Sequence, residues 1–246
     1  MKLWKVEIPK SSLLLIPETE RIFFVQTASL LNDLAVLQKC LFFSADTETT
    51  NDIVRESQNS QALFFARIQS GKLSEGWQLL QNQFFGSKIS KEYEKKLTDL
   101  GRWSLQKLKS YFAGDNLLSL IRNEFAFHYS RESSERIAEV IRAAPDSEVF
   151  HIFLSEGHGN CFYSISQTLV NFAILRSIDS TDHQKAMDQL LREVMTVTGW
   201  FLDFLGGCLL IMVKEYLGGQ FLEVEIPEPP ELDKVRLPYF VRGEPK

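Results

Sequence analysis

Met187, Leu190, Val194, Val197, Phe201, Phe204, Cys208 and Ile211 alternate spacings of three and four without a break. Nothing else in the chain restricts its fold as strongly. A three-four repeat sustained this long defines one face of a helix and cannot serve a strand, whose faces alternate every second residue. The seam must be covered, either inside the chain's own core or across a dimer interface. The run Gly199–Val213 is strongly apolar, but Asp203 interrupts it. It is also shorter than the roughly 20 residues that a membrane span needs. The expectation is a buried helix, and no membrane partner.

The remaining patterns also favour helices. Pro17-Glu18-Thr19-Glu20 places a proline and two acids where a helix begins, at the positive end of its dipole. Leu30, Leu34, Leu37 and Leu41 continue it as one stripe. The polar stretch from Ser44 to Asn59 starts as a loop. A second helix follows, with Ala62, Phe65, Ile68, Trp77 and Leu80 as core candidates. Gly71 and Gly76 weaken its continuity. Gly86-Ser87 breaks the chain before a charged helix expected over 90–112. Gly114-Asp115-Asn116 reads as a turn and N-cap. A further helix runs to Arg142 and ends at Ala143-Ala144-Pro145-Asp146. Val149–Leu154 fits a short strand. Helices resume near Ser164, and Gly218-Gly219 caps the last.

At the N-terminus Trp4, Val6 and Ile8 alternate with Lys5 and Glu7 until Pro9. The tetrad Val-Glu-Ile-Pro returns at Val224–Pro227, so the two ends are expected to pair as a small ribbon. The fold class expected is therefore all-α, a helical bundle with a minor β ribbon from the termini. One helical domain over residues 1–220 and an extended proline-rich arm over 221–246 is the simplest organisation. The 19 phenylalanines point to a core of large flat side chains.

Three widely spaced cysteines, Cys40, Cys161 and Cys208, suit buried free thiols in a reducing cytoplasm. No apolar leader is evident at the N-terminus. The net charge of −5 argues against a dedicated nucleic-acid binder. From Lys88 to Lys109, however, seven Lys or Arg face three acids. That excess reads either as a solvated face with ion pairs or as a phosphate-attracting wall, with Lys107 and Lys109 as candidate substrate-binding cations.

One stretch concentrates chemistry. In Arg122-Asn123-Glu124-Phe125-Ala126-Phe127-His128 a fixed cation, an amide, a carboxylate and an imidazole fall within seven residues. An Arg, five residues beginning with Asn, then His resembles the signature of the HEPN superfamily. HEPN domains are helical bundles, and many are metal-independent ribonucleases of toxin–antitoxin, phage-defence and CRISPR systems. Their sites commonly form across a dimer. Others have lost catalysis and serve as binding modules.

The resemblance implies an endoribonuclease that needs no cofactor, with Arg122 and His128 catalytic and Asn123 substrate-binding. It also implies RNA as substrate, a homodimer and an antitoxin protein as partner. The residue types fit that chemistry. Histidine titrates near neutrality and can act as base or acid. The planar guanidinium forks a phosphate. On an α-helix, residues six apart are rotated by about 120° and separated by roughly 9 Å, so a symmetric partner would help to pool the groups. The plainer alternative pairs Glu124 with His128 at i,i+4 and leaves Arg122 bridging an acid elsewhere. A non-catalytic helical module for a nucleotide or protein partner is the second functional expectation. Tyr129 is expected at the core or rim. His151, His158 and Cys161 lack a fourth ligand for a structural zinc site, so no metal is expected.

Overall fold

Pro17 and the acids Glu18 and Glu20 begin helix α2 (Glu18–Ser44) where the sequence places a helix start. The computed structural model describes residues 2–44, 49–126, 131–218 and 221–242. Within them the fold is all-α with a minor β ribbon. After strand β1 (Leu3–Lys5) come α1 (Lys10–Leu15), α2, α3 (Asp52–Leu79), α4 (Lys88–Lys96), α5 (Asp99–Tyr111) and α6 (Leu117–Ile121). Then follow α7 (Arg131–Ala143), α8 (Ser164–Ile178), α9 (His183–Tyr216) and strand β2 (Leu222–Val224).

The ribbon joins the two ends antiparallel, with Leu3 opposite Val224, Trp4 opposite Glu223 and Lys5 opposite Leu222. The repeated tetrads are not matched to each other. Val6 to Pro9 lie beyond β1, and only Val224 of the second tetrad is in β2. The short helix α1 carries no periodic signal and was not expected. The strand expected at Val149–Leu154 is a single bridge, Phe153 with Phe162, closed by two backbone bonds of 2.8 Å.

Two further differences have local causes. The charged helix expected over 90–112 is split, because the Thr98 hydroxyl accepts from the Gly101 amide and starts α5 afresh. In α3 the buried stripe is Ala62, Leu63, Ala66 and Leu73, continued by Leu80 just beyond its end, while Phe65, Ile68 and Trp77 are only half-buried. A π turn at Leu80–Phe84, closed by Phe85 N–H to the Leu80 carbonyl at 2.9 Å, alters the register at the end of α3.

The chain divides into two compact units. The first combines Met1–Ala35, Lys72–Gly114 and Thr196–Lys234. Its core is aromatic, as the phenylalanine count suggests. Phe84 stacks on Phe23 at 5.8 Å and meets Phe204 edge-on at 5.2 Å. Trp77 stacks on Phe112 at 4.8 Å. Gly76 does not interrupt α3, and packing explains why a glycine stands there. A β-carbon at this position would lie 2.9 Å from Leu30 Cδ2 and 3.2 Å from Phe201 Cε1. Phe201 is fully buried and cannot retreat. Gly76→Val is expected to cost about 1–3 kcal/mol by overpacking, read as a lower urea midpoint.

The second unit combines Val36–Gly71, Asp115–Met195 and Val235–Lys246. Here α7 packs on α8, and Ser164 and Thr168 of α8 both donate to Glu56 of α3. The proline-rich tail is held by its backbone. Leu237 N–H donates to the Phe43 carbonyl at 2.7 Å. The Asn160 amide brackets Val241 through bonds of 2.6 and 2.9 Å.

The seam of α9 is covered by the chain itself. Leu190 and Val194 are buried in the second unit; Val197, Phe201, Phe204 and Cys208 in the first. Met187 and Ile211 at its ends are half-buried. Among the described residues α9 is the one helix long and apolar enough to cross a membrane, yet 44 % of its most apolar window is buried. Asp203 accepts from the Ser104 hydroxyl at 3.3 Å. Gly218 ends the helix with φ +53, where a side chain would be strained. Gly219 lies outside the described residues.

Candidate functional site

Asn116 starts the segment that carries the site. Its side chain accepts from the Ser119 amide at 2.9 Å and caps α6. Leu118, Ile121 and Phe125, spaced three and four apart, are buried and anchor one face. The helix then changes type. Arg122–Ala126 is a π turn, a rare geometry that is enriched at functional sites. The α-helical rotation argued for Arg122 and His128 therefore does not apply to the first five residues of the motif. His128 itself, with Phe127 and Tyr129, lies outside the described residues.

Beside the buried Ile121 and Phe125, Arg122 is half-buried and Asn123 exposed. Arg122 Nη1 donates to Asn123 Oδ1 at 3.0 Å. Among the described residues no carboxylate pairs with Arg122. Among the described residues, that bond to Asn123 is the guanidinium's one hydrogen bond. The expected alternative, Arg122 bridging a distant acid, is not found among those residues.

Glu124 has a partner in a neighbouring helix, while its pairing with His128 lies outside the described residues. Arg136 of α7 forks it, Nε to Oε2 at 2.6 Å and Nη2 to Oε1 at 3.1 Å. This bidentate pair ties α7 to the π turn. The two residues are twelve apart in sequence, so no helical period announced the contact. Glu124 is only 16 % exposed in its side chain, whereas Arg136 is 39 % exposed, so solvent screens the pair. Glu124→Ala is expected to cost about 1 kcal/mol, read by urea denaturation, with Arg136→Ala giving the same loss and the double variant little more.

Lys107 and Lys109 belong to the first unit, Arg122 and Asn123 to the second. Lys109 is paired with Glu94 at 3.2 Å and lies 5.3 Å from the Phe85 ring centre. Lys107 sits 5.5 Å over Trp103. Lys88 pairs with Glu92, Lys96 with Glu215 and Arg102 with Asp99. Four of the seven cations, Lys88, Lys96, Arg102 and Lys109, are thus paired with acids, but only Lys96 draws its acid from outside the segment, so most of the local excess remains. The Cys161 thiol donates to the Ser155 carbonyl at 3.6 Å and accepts the Ser155 amide at 3.5 Å, closing a loop.

Fold and site together define an all-α bundle with a terminal ribbon, bearing on a π turn an arginine that has no acid partner among the described residues. No family model, no curated protein and no solved structure matches the chain.

Proposed function

We propose that the protein is a HEPN-like, metal-independent endoribonuclease that cleaves RNA by attack of the 2′-hydroxyl. The observation that carries the reading is Arg122. It has a cation with no carboxylate partner among the described residues, orientation by Asn123, and a place on a π turn that opens the Arg-Asn…His motif. In this reading His128 takes the 2′-hydroxyl proton, the O2′–P bond forms, the P–O5′ bond breaks and the 5′-oxygen leaves with a proton. Arg122 holds the charge that builds on phosphorus, and Asn123 positions phosphate or ribose. A homodimer would supply a second His128 for the leaving oxygen. With α9 covered by its own chain, only the motif asks for that partner. A cytoplasmic toxin–antitoxin or phage-defence setting, with a protein antitoxin, follows from the same resemblance.

The pairing of Lys109 with Glu94 and the stacking of Lys107 over Trp103 favour a second reading, a non-catalytic helical module that binds a nucleotide or a protein. Lys107 and Lys109 would then be surface residues rather than substrate contacts.

The two readings separate on wild-type protein incubated with RNA in EDTA. The enzyme reading expects cleavage to 2′,3′-cyclic phosphate and 5′-hydroxyl ends, with a pH limb at about 6 to 7. Binding of RNA or nucleotide without cleavage, or cleavage only with added metal, overturns it.

A further inference from the structure

A second cleft lies entirely within the second unit, away from the motif. It has a volume of about 320 Å³. The end of α7, the following loop, α8 and the start of α9 enclose it. Its walls are apolar, with Val140, Phe150, Leu169 and Phe172 among them. Phe172 and His183 lie 5.0 Å apart between ring centres and give it an aromatic side. Two opposite charges also line it, Arg176 from α8 and Glu148 from the loop. Neither is in an ion pair among the described residues. The nearby acid Asp179 already pairs with Lys185 at 3.3 Å, so it does not compete for a cation in the cleft.

Opposite charges that line one cavity without neutralising each other suit a ligand that carries both. The volume is at the small end of ligand pockets, roughly 300–1,000 Å³, which suits a compact ligand better than a nucleotide. We propose that this cleft binds a free amino acid with an apolar side chain. Arg176 takes the carboxylate as a fork, Glu148 takes the ammonium, and the side chain lies against Phe172, Leu169 and Val140. The inference does not rest on the ribonuclease reading, and its test involves no RNA.

The test is calorimetric titration of the full chain with L-phenylalanine, N-acetyl-L-phenylalanine (no ammonium), phenethylamine (no carboxylate) and glycine (no side chain). Wild type is expected to bind L-phenylalanine at least tenfold more tightly than the other three. Arg176→Gln and Glu148→Gln replace exposed side chains, and circular dichroism checks that the fold is kept. Arg176→Gln should bind L-phenylalanine no better than phenethylamine. Glu148→Gln should bind it no better than the N-acetyl form. The proposal is overturned if wild type binds none of the probes at about 10 mM, if glycine binds as well as L-phenylalanine, or if both variants bind like wild type.

Discussion

Arg122→Ala and His128→Ala are each expected to abolish RNA cleavage while leaving helix content and urea midpoint unchanged. Removing a positioned acid–base group typically costs about 10²–10⁴ in rate. Removing a donor aimed at developing charge costs about 10²–10³. Arg122 is suited to such a variant, because among the described residues it has no ion pair to lose and its one hydrogen bond is to its neighbour Asn123. Its replacement therefore removes charge rather than structure. Arg122→Lys keeps the charge but loses the fork, and should recover only part of the rate. Asn123→Ala should lower kcat less than Arg122→Ala, since the arginine then keeps its charge and loses only its orientation. The measurement is single-turnover cleavage of an end-labelled RNA in EDTA. If His128→Ala cleaves as fast as wild type, the motif is a coincidence of helix-surface residues. If Arg122→Ala alone retains activity, phosphate is held elsewhere.

The largest expected effect on stability is at Glu20. This carboxylate is only 4 % exposed, and its Oε2 accepts hydroxyl bonds from Tyr93 at 2.9 Å and Tyr216 at 2.8 Å. The three residues come from the first turn of α2, from α4 and from the end of α9, all within the first unit. A hydrogen bond to a charged group contributes about 1.5–3 kcal/mol. Glu20→Ala breaks two and leaves the buried Tyr93 hydroxyl without its acceptor, so a loss of about 3–5 kcal/mol is expected in urea denaturation. Glu20→Gln keeps the shape and one acceptor oxygen, and should lose about half as much.

The same triad sets an alkaline limit. Burial first, and the bond to Glu20 second, push Tyr216 up to about 12 and raise Tyr93 as well, from an ordinary value of 10.0. As pH rises through 10 the unfolded chain releases these protons while the folded chain still holds them. The stabilisation is therefore complete below about pH 10 and is lost as pH climbs toward 12. Tyr216→Phe should be less stable than wild type at pH 8, and the gap should narrow by pH 11. A gap that is constant across that range would show that the hydroxyl does not titrate with folding.

Glu20 also illustrates what a linear sequence can convey. Its place was legible, because Pro17 and two acids mark a helix start by local dipole and capping chemistry. Its partners were not, since Tyr93 and Tyr216 lie 73 and 196 residues away and no periodicity links them. The site follows the same division. The sequence by itself determined the helical class, the cap at Asn116 and the grouping of Arg122, Asn123 and His128, because each rests on neighbours within a turn or two, and it announced the pairing of the chain ends only through strand alternation and a repeated tetrad. Only the tertiary structure decided that α9 is covered by its own chain, that Gly76 yields to Leu30 and Phe201, that Arg136 takes Glu124, and that Arg122 opens a π turn. Those outcomes depend on which side chains meet after the helices pack, and contact at long sequence separation leaves no period in the chain to read.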